Sequence, residues 1–229
     1  MNIFKYAYYS TMFLLFPNKL YDGVAAAKEL FFEWNHHPLD YVLTKDPKFS
    51  KFFDNQLLLE HIKKPFDFEQ LGSLPDNTFG YQYAKYIKSK SFVETLPFEE
   101  GFFDRPVRKF IYQYYKYHDI QHFLLDLDTT IEGELILARY YWYNTRTVFK
   151  KLKWIANFFV DALLYTYSIR LVLTNLNNIQ AIKSFYNQIN NIKNIAINSP
   201  DFNYLFISRY FEEDLVTVKK QIKNSQNNF

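Results

Sequence analysis

A chain of 229 residues is long enough for one sizeable hydrophobic core and short for two, so a single domain over residues 1–229 is expected. Apolar residues at 48% and charged residues at 22% exclude a disordered or fibrous chain, and a net charge of only +3 speaks against a protein built to grip nucleic acid. There is no cysteine, which excludes disulfides and thiolate metal sites, leaves any metal to imidazole and carboxylate ligands, and reads as an intracellular chain.

Glycine is scarce and period-two alternation is rare, so the expected fold class is all-α, a compact multi-helix domain. Residues 6–16 (YAYYSTMFLLF) imitate the core of a signal peptide. Pro17, Asn18, Lys19 and Asp22 separate them from Ala25-Ala26-Ala27, so an amphipathic or buried first helix is the better reading. Segment 20–34 places Leu20, Val24, Ala27 and Phe31 on one helical stripe. The next, 39–64, is helical but interrupted at Asp46-Pro47. His36, His37 and His61 receive no role. Pro75, Asp76 and Asn77 make a turn, after which Phe79, Tyr83 and Ile87 recur every four residues.

Residues 98–106 read as a loop, and Pro106 opens a long helix to about Leu125. The acidic turn LDLDTT ends it. Asp128 or Thr129 is expected to cap the following helix, with Thr129-x-x-Glu132 fitting a capping box, and that helix runs to about Lys150. Asp126 and Asp128 are explained by turn and capping duties. The very apolar helix 152–173 presents Trp154, Phe158, Tyr165 and Ile169, as a core helix or as the apolar wall of a ligand channel. The apolar stretch Trp154 to Ile169 is too short for a bilayer and carries Asp161, so no transmembrane helix is expected. Arg146, Lys150, Lys151 and Lys153 suit a solvated helix end or anionic lipid headgroups. An Asn-rich helix at 177–194 and a last helix at 203–223 complete the chain.

The chemistry concentrates at 117–135, YHDIQHFLLDLDTTIEGEL. His118 and His122 lie one helical turn apart and face the same way, the spacing that lets two imidazoles grip one ion. Asp119 sits about 100° round, able to join them or to orient an imidazole. The turn reverses the chain, so Glu134 can fold back beside the histidines. Two nitrogens with carboxylate oxygens suit zinc and also accept manganese, iron or cobalt. Gly133, just before Glu134, would let the paired helices approach.

These residues carry a resemblance. His118-Asp119-x-x-His122, then eleven residues, then Glu134 is similar to the hallmark of the coenzyme Q (ubiquinone) biosynthesis protein 4 family. LPDNTFGYQYAKYI at 74–87 resembles a second family segment through Leu74, Pro75, Thr78, Phe79, Gly80 and Tyr83, and FEEDLVTVKKQIK at 211–223 resembles its C-terminal helix. The chain departs after His122, where Phe123-Leu124-Leu125-Asp126 replaces the family's Thr-Gly-containing stretch.

The resemblance implies a helical protein with a divalent cofactor, zinc by preference, held by His118, Asp119, His122 and Glu134, which would also be the catalytic residues. It implies handling of polyprenylated hydroxybenzoate precursors, with removal of the ring carboxylate and a hydroxyl in its place. Its partners would be the polyprenylated aromatic lipid, other ubiquinone-biosynthesis proteins and a membrane surface, with no nucleic acid. It places the chain in the cytoplasm or peripherally on the inner membrane, and a homodimer is compatible with it. Two rival readings remain open: a prenyl-lipid-binding scaffold with a structural metal, and a His-Asp metal hydrolase sharing only the doublet.

Overall fold

The computed structural model describes residues 38–45, 64–90, 105–144, 178–199 and 207–224, with single positions at 5, 8, 12, 47, 51, 54, 60, 168, 169, 171 and 172. Among these residues every regular element is helical, and the sole extended pairing is an isolated bridge between Thr78 and Asp214. The expected helix 20–34, the basic cluster at 146–153 and most of helix 152–173 lie outside the described residues.

Helix α1 (Pro38–Thr44) stops short of Asp46-Pro47, as the proline requires. It is tied to the rest through Asp40, which accepts from Arg105 Nε at 3.1 Å. Helix α2 (Phe68–Gly72) is capped by Asp67, whose carboxylate accepts from Gln70 N at 2.9 Å. Helix α3 (Phe79–Ser89) follows the Pro75 turn with Thr78 as its cap, and Phe79, Tyr83 and Ile87 are buried, the stripe read from the sequence.

Helix α4 (Pro106–Leu125) begins with proline at its first turn and ends on Asp126, which adopts the left-handed conformation at φ 56°. The N–H groups of Asp126 and Leu127 both return to the His122 carbonyl, closing the helix end. Helix α5 (Ile131–Asn144) follows it after the short turn, and its Glu134 returns to the histidines of α4. The hydroxyl at its start belongs to Thr130, which accepts from Gly133 N at 3.2 Å. The expected Asp128 or Thr129 cap is thus displaced by a residue or two, because the turn uses one more residue before the helix begins.

Helix α6 (Ile179–Asn198) starts on Asn178, which accepts from Ala181 N, and buries Phe185, Ile192 and Ala196. It packs most extensively against α5, and Asn144 of α5 donates to the Ala196 carbonyl at 3.3 Å. The single helix expected over 203–223 is divided into a 3-10 turn (Ile207–Tyr210) and α7 (Leu215–Asn224). The interruption has a cause. The carbonyls of Phe211 and Glu213 accept from Gly80 N and Phe79 N, both at 2.8 Å, and Leu215 N donates to Asn77 O at 3.0 Å. Asp214 then caps α7 through Thr217 N at 3.0 Å.

Gly80 is needed at this crossing. A Cβ there would come within 2.9 Å of the Phe211 carbonyl oxygen and 2.8 Å of Leu74 Cδ1. The core lies between these elements, with Phe79, Tyr117, Ile120, Leu124, Ile136, Leu137, Tyr140, Ile207 and Val218 fully buried or nearly so.

Candidate metal centre

Tyr117, Ile120 and Leu124 turn one face of α4 into the core. His118 and His122 occupy the adjoining row at i, i+4 and face α5. Their rings stand 4.7 Å apart, centroid to centroid, and are inclined by 65°. Glu134, in the first turn of α5, reaches between them. Its Oε2 lies 3.0 Å from His118 Nε2 and its Oε1 lies 3.1 Å from His122 Nε2. One ligand atom from each of these three residues falls within 4.8 Å of the others, so the group could hold a metal ion.

Asp119 is not part of that group. Its carboxylate meets the opposite nitrogen of His118, Nδ1, at 3.2 Å. Its offset allowed two roles, and in this geometry its carboxylate meets the side of the His118 ring that faces away from Glu134. His118 therefore has a carboxylate at each ring nitrogen. Burial lowers its pKa, but the hydrogen bonds to Asp119 and Glu134 outweigh this and raise it to about 9. Glu134 shows the reciprocal shift: burial pushes it up, and the two imidazoles of His118 and His122 beside it hold it at about 2.

His122 is fully buried. Its Nδ1–H donates to the Leu127 carbonyl at 3.3 Å, since a carbonyl can only accept. That fixes Nε2 as the nitrogen facing Glu134. Nε2 lies close to Oε1, yet it makes no well-aligned hydrogen bond among the described residues. A buried lone pair aimed at a carboxylate oxygen is repulsive unless a proton or a cation stands between them. The separations of 3.0 and 3.1 Å run to the two different oxygens of Glu134, and one donor from each residue lies within 4.8 Å of the others, so a small shift of these side chains toward the ~3.3 Å spacing of a tetrahedral site would let the group hold a divalent cation.

Gly133 lies against its own turn, not against the facing helix. A Cβ there would stand 1.7 Å from the Asp128 carbonyl oxygen. The close approach read into this glycine is real, but its partner is the backbone of the turn that brings Glu134 back. Asp126 is held by Lys219 and, at 3.2 Å, by Lys223.

The family model for coenzyme Q (ubiquinone) biosynthesis protein Coq4 matches residues 24–193. The chain belongs to this family. Among curated Coq4 relatives, the mitochondrial ubiquinone biosynthesis protein of Candida glabrata is 35% identical over 72 residues, 31% of this chain and 22% of that protein. The Drosophila virilis homolog is 36% identical over 73 residues, 31% of this chain and 28% of its own length. The matches thus span roughly a quarter of these relatives. A solved structure from Nostoc punctiforme PCC 73102, described as a ubiquinone biosynthesis protein, has TM-score 0.64 at 16% identity, covering 97% of this chain and 98% of that one. At that identity it shares the fold.

Two features of this Coq4 chain were missed by sequence reasoning. The Leu127 carbonyl orients His122, and every residue type offers a carbonyl, so no sequence signal marked it. The aromatic setting of Phe123, stacked on Phe79 at 6.2 Å and meeting Tyr83 and Tyr86, was also unforeseen. The departure at 123–126 was the one available hint.

Proposed function

We propose that this Coq4 chain binds a divalent cation, with zinc the best match to the donor set, through His118, His122 and Glu134. Asp119 orients His118 in this reading. At that site the protein acts on a polyprenylated hydroxybenzoate during ubiquinone biosynthesis and removes the ring carboxylate. The observation that carries the metal assignment is the buried His122 Nε2, fixed by Leu127 and turned to Glu134 without an aligned hydrogen bond. Three protein donors leave a fourth position for substrate, as catalytic sites do.

When bound, the cation would supply positive charge for the carboxylate and phenolic oxygens of the ring. The protein's own groups then have defined tasks. His122 is locked by burial, His118 by Asp119, and Glu134 bridges both helices. The scissile ring–carboxylate bond leaves its electron pair on the ring carbon, carbon dioxide departs, and a proton from solvent takes the vacated position; the hydroxyl that the resemblance implies there would need a two-electron oxidant that these residues do not supply.

A second reading is favoured by the way Glu134 ties α4 to α5 through both histidines. The centre would then be a staple in a lipid-binding scaffold that presents the prenylated ring to other ubiquinone-biosynthesis proteins. No helix among the described residues is long and apolar enough to cross a membrane.

One experiment separates the two. Purified protein loaded with zinc is given 3-geranyl-4-hydroxybenzoate labelled in the carboxyl carbon. Release of labelled carbon dioxide, abolished in His118→Ala, is the expected result. No release from the wild-type protein, together with a lowered melting temperature in His118→Ala, would establish the scaffold instead.

A further inference from the structure

Nothing in the reading above uses Tyr86. Phe79, Tyr83 and Tyr86 of α3 all meet the ring of Phe123, at centroid distances of 6.2, 5.9 and 5.2 Å. Phe123 directly follows His122 and lies one turn after Asp119, so this packing sets Tyr86 beside the part of α4 that carries the metal centre. The phenol oxygen of Tyr86 is buried and has no hydrogen-bond partner among the described residues. Native structures rarely leave a buried hydroxyl in that state without a reason.

The surroundings say what kind of partner is missing. Burial raises the pKa of Tyr86, and the charges of Asp119, Asp128 and Glu134 raise it further, so the phenol remains a protonated donor at neutral pH. The two carboxylates nearest the centre are committed elsewhere, Glu134 to both histidines and Asp119 to His118. A desolvated donor without a partner, on a ring packed against the residue that follows His122, is placed for an acceptor arriving with a ligand. Phe123 and the other α3 aromatics supply a flat apolar wall beside it, the environment that an aromatic ring prefers.

We propose that Tyr86 donates a hydrogen bond to an oxygen substituent of the aromatic ligand bound at the His118–His122–Glu134 centre, an inference that rests on the functional reading above. The oxygen is the ring carboxylate or the phenolic oxygen. Tyr86 is thus a substrate-binding residue on a helix outside the metal-binding hairpin.

The test is Tyr86→Phe, which keeps the ring and its packing. Zinc-loaded wild type and variant are titrated calorimetrically with 3-geranyl-4-hydroxybenzoate and with 3-geranylbenzoate, and zinc content and melting temperature are measured alongside. The expected result is unchanged zinc content and melting temperature with binding weakened roughly tenfold, the worth of one net hydrogen bond. A loss confined to the hydroxylated probe assigns the phenolic oxygen, and a loss with both assigns the carboxylate. Equal affinities in the two proteins overturn the proposal while leaving the functional reading intact. Lost zinc in the variant overturns it in favour of a structural role. Wild-type protein that holds zinc but binds neither probe removes the functional reading, and this inference with it.

Discussion

Replacing Gly133 by alanine is the sharpest test of how the turn positions Glu134. The new Cβ would stand 1.7 Å from the Asp128 carbonyl oxygen and 2.8 Å from its carbon, where ordinary contact begins at 3.4 Å. Both obstacles are backbone, so no rotamer change relieves them. Gly133 lies outside the left-handed region, so space alone demands the glycine. In an unobstructed helix the substitution would stabilise by about 0.8–1.0 kcal/mol. Overpacking typically costs about 1–3 kcal/mol, and a clash with backbone belongs at the upper end. The expected net loss is about 2 kcal/mol, or about 4–8 °C in melting temperature for a chain of this length. The shift also carries Glu134, the next residue, away from both imidazoles, so zinc affinity should fall by roughly tenfold or more. Thermal melts with and without chelator, and competition against a zinc-binding dye, measure the two effects. A variant that melts at or above the wild type with undiminished zinc affinity would refute the reasoning, because helix propensity alone predicts that outcome.

Two further outcomes follow from the centre itself. His118 is raised from 6.5 to about 9, so its stabilisation of the metal-free fold is full below pH 6.5 and lost as pH rises through 9; Glu134 is lowered from 4.5 to about 2, so its share is full above pH 4.5 and lost as pH falls through 2. Chelator-treated protein should accordingly melt highest between pH 4.5 and 6.5, and zinc binding should expel the His118 proton, with affinity climbing about tenfold per unit from pH 6.5 towards 9; a flat affinity across that interval would count against the arrangement. Asp119→Asn should weaken metal binding by about 10–100-fold through lost orientation of His118 while the absorption spectrum of the cobalt-substituted centre keeps its coordination number. Loss of an oxygen ligand in that spectrum would instead put Asp119 on the metal.

Much of the centre was legible because helix geometry is periodic. The i, i+4 spacing of His118 and His122 fixes a common face wherever the helix lies, and a short acidic turn leaves the next helix little choice but to return. What could not be read was the sharing of the two sides of one ring. An aspartate 100° round can reach either nitrogen, and the choice depends on a χ angle set by packing. The cap at Thr130 was misplaced for a related reason, since Asp128, Thr129 and Thr130 are all good capping residues and only the turn decides among them. The break within 203–223 escaped notice because its cause is non-local. The amphipathic pattern continues through Phe211, but the carbonyls there are taken by the start of α3, more than a hundred residues earlier.

That non-local pairing also explains why the three segments that carry the family resemblance occur together. The 74–87 segment gives its first helical N–H groups to the Phe211 and Glu213 carbonyls, and Asn77 accepts from Leu215 N, so it fixes where α7 begins. Helix α7 then presents Lys219 and Lys223, one turn apart, to the two carboxylate oxygens of Asp126. Burial opposes the charge on Asp126, but the two lysines prevail and lower its pKa. Asp126 is the residue held at φ 56° between α4 and α5, a conformation that aspartate tolerates but does not prefer. Lys219 also lies over the Phe123 ring at 5.4 Å, so the same side chain touches both the turn and the aromatic wall. The chain of restraint runs from the proline turn at 75, through the C-terminal helix, to the strained residue that returns Glu134 to its histidines. Three segments far apart in sequence therefore answer to one geometric requirement, the position of a single carboxylate.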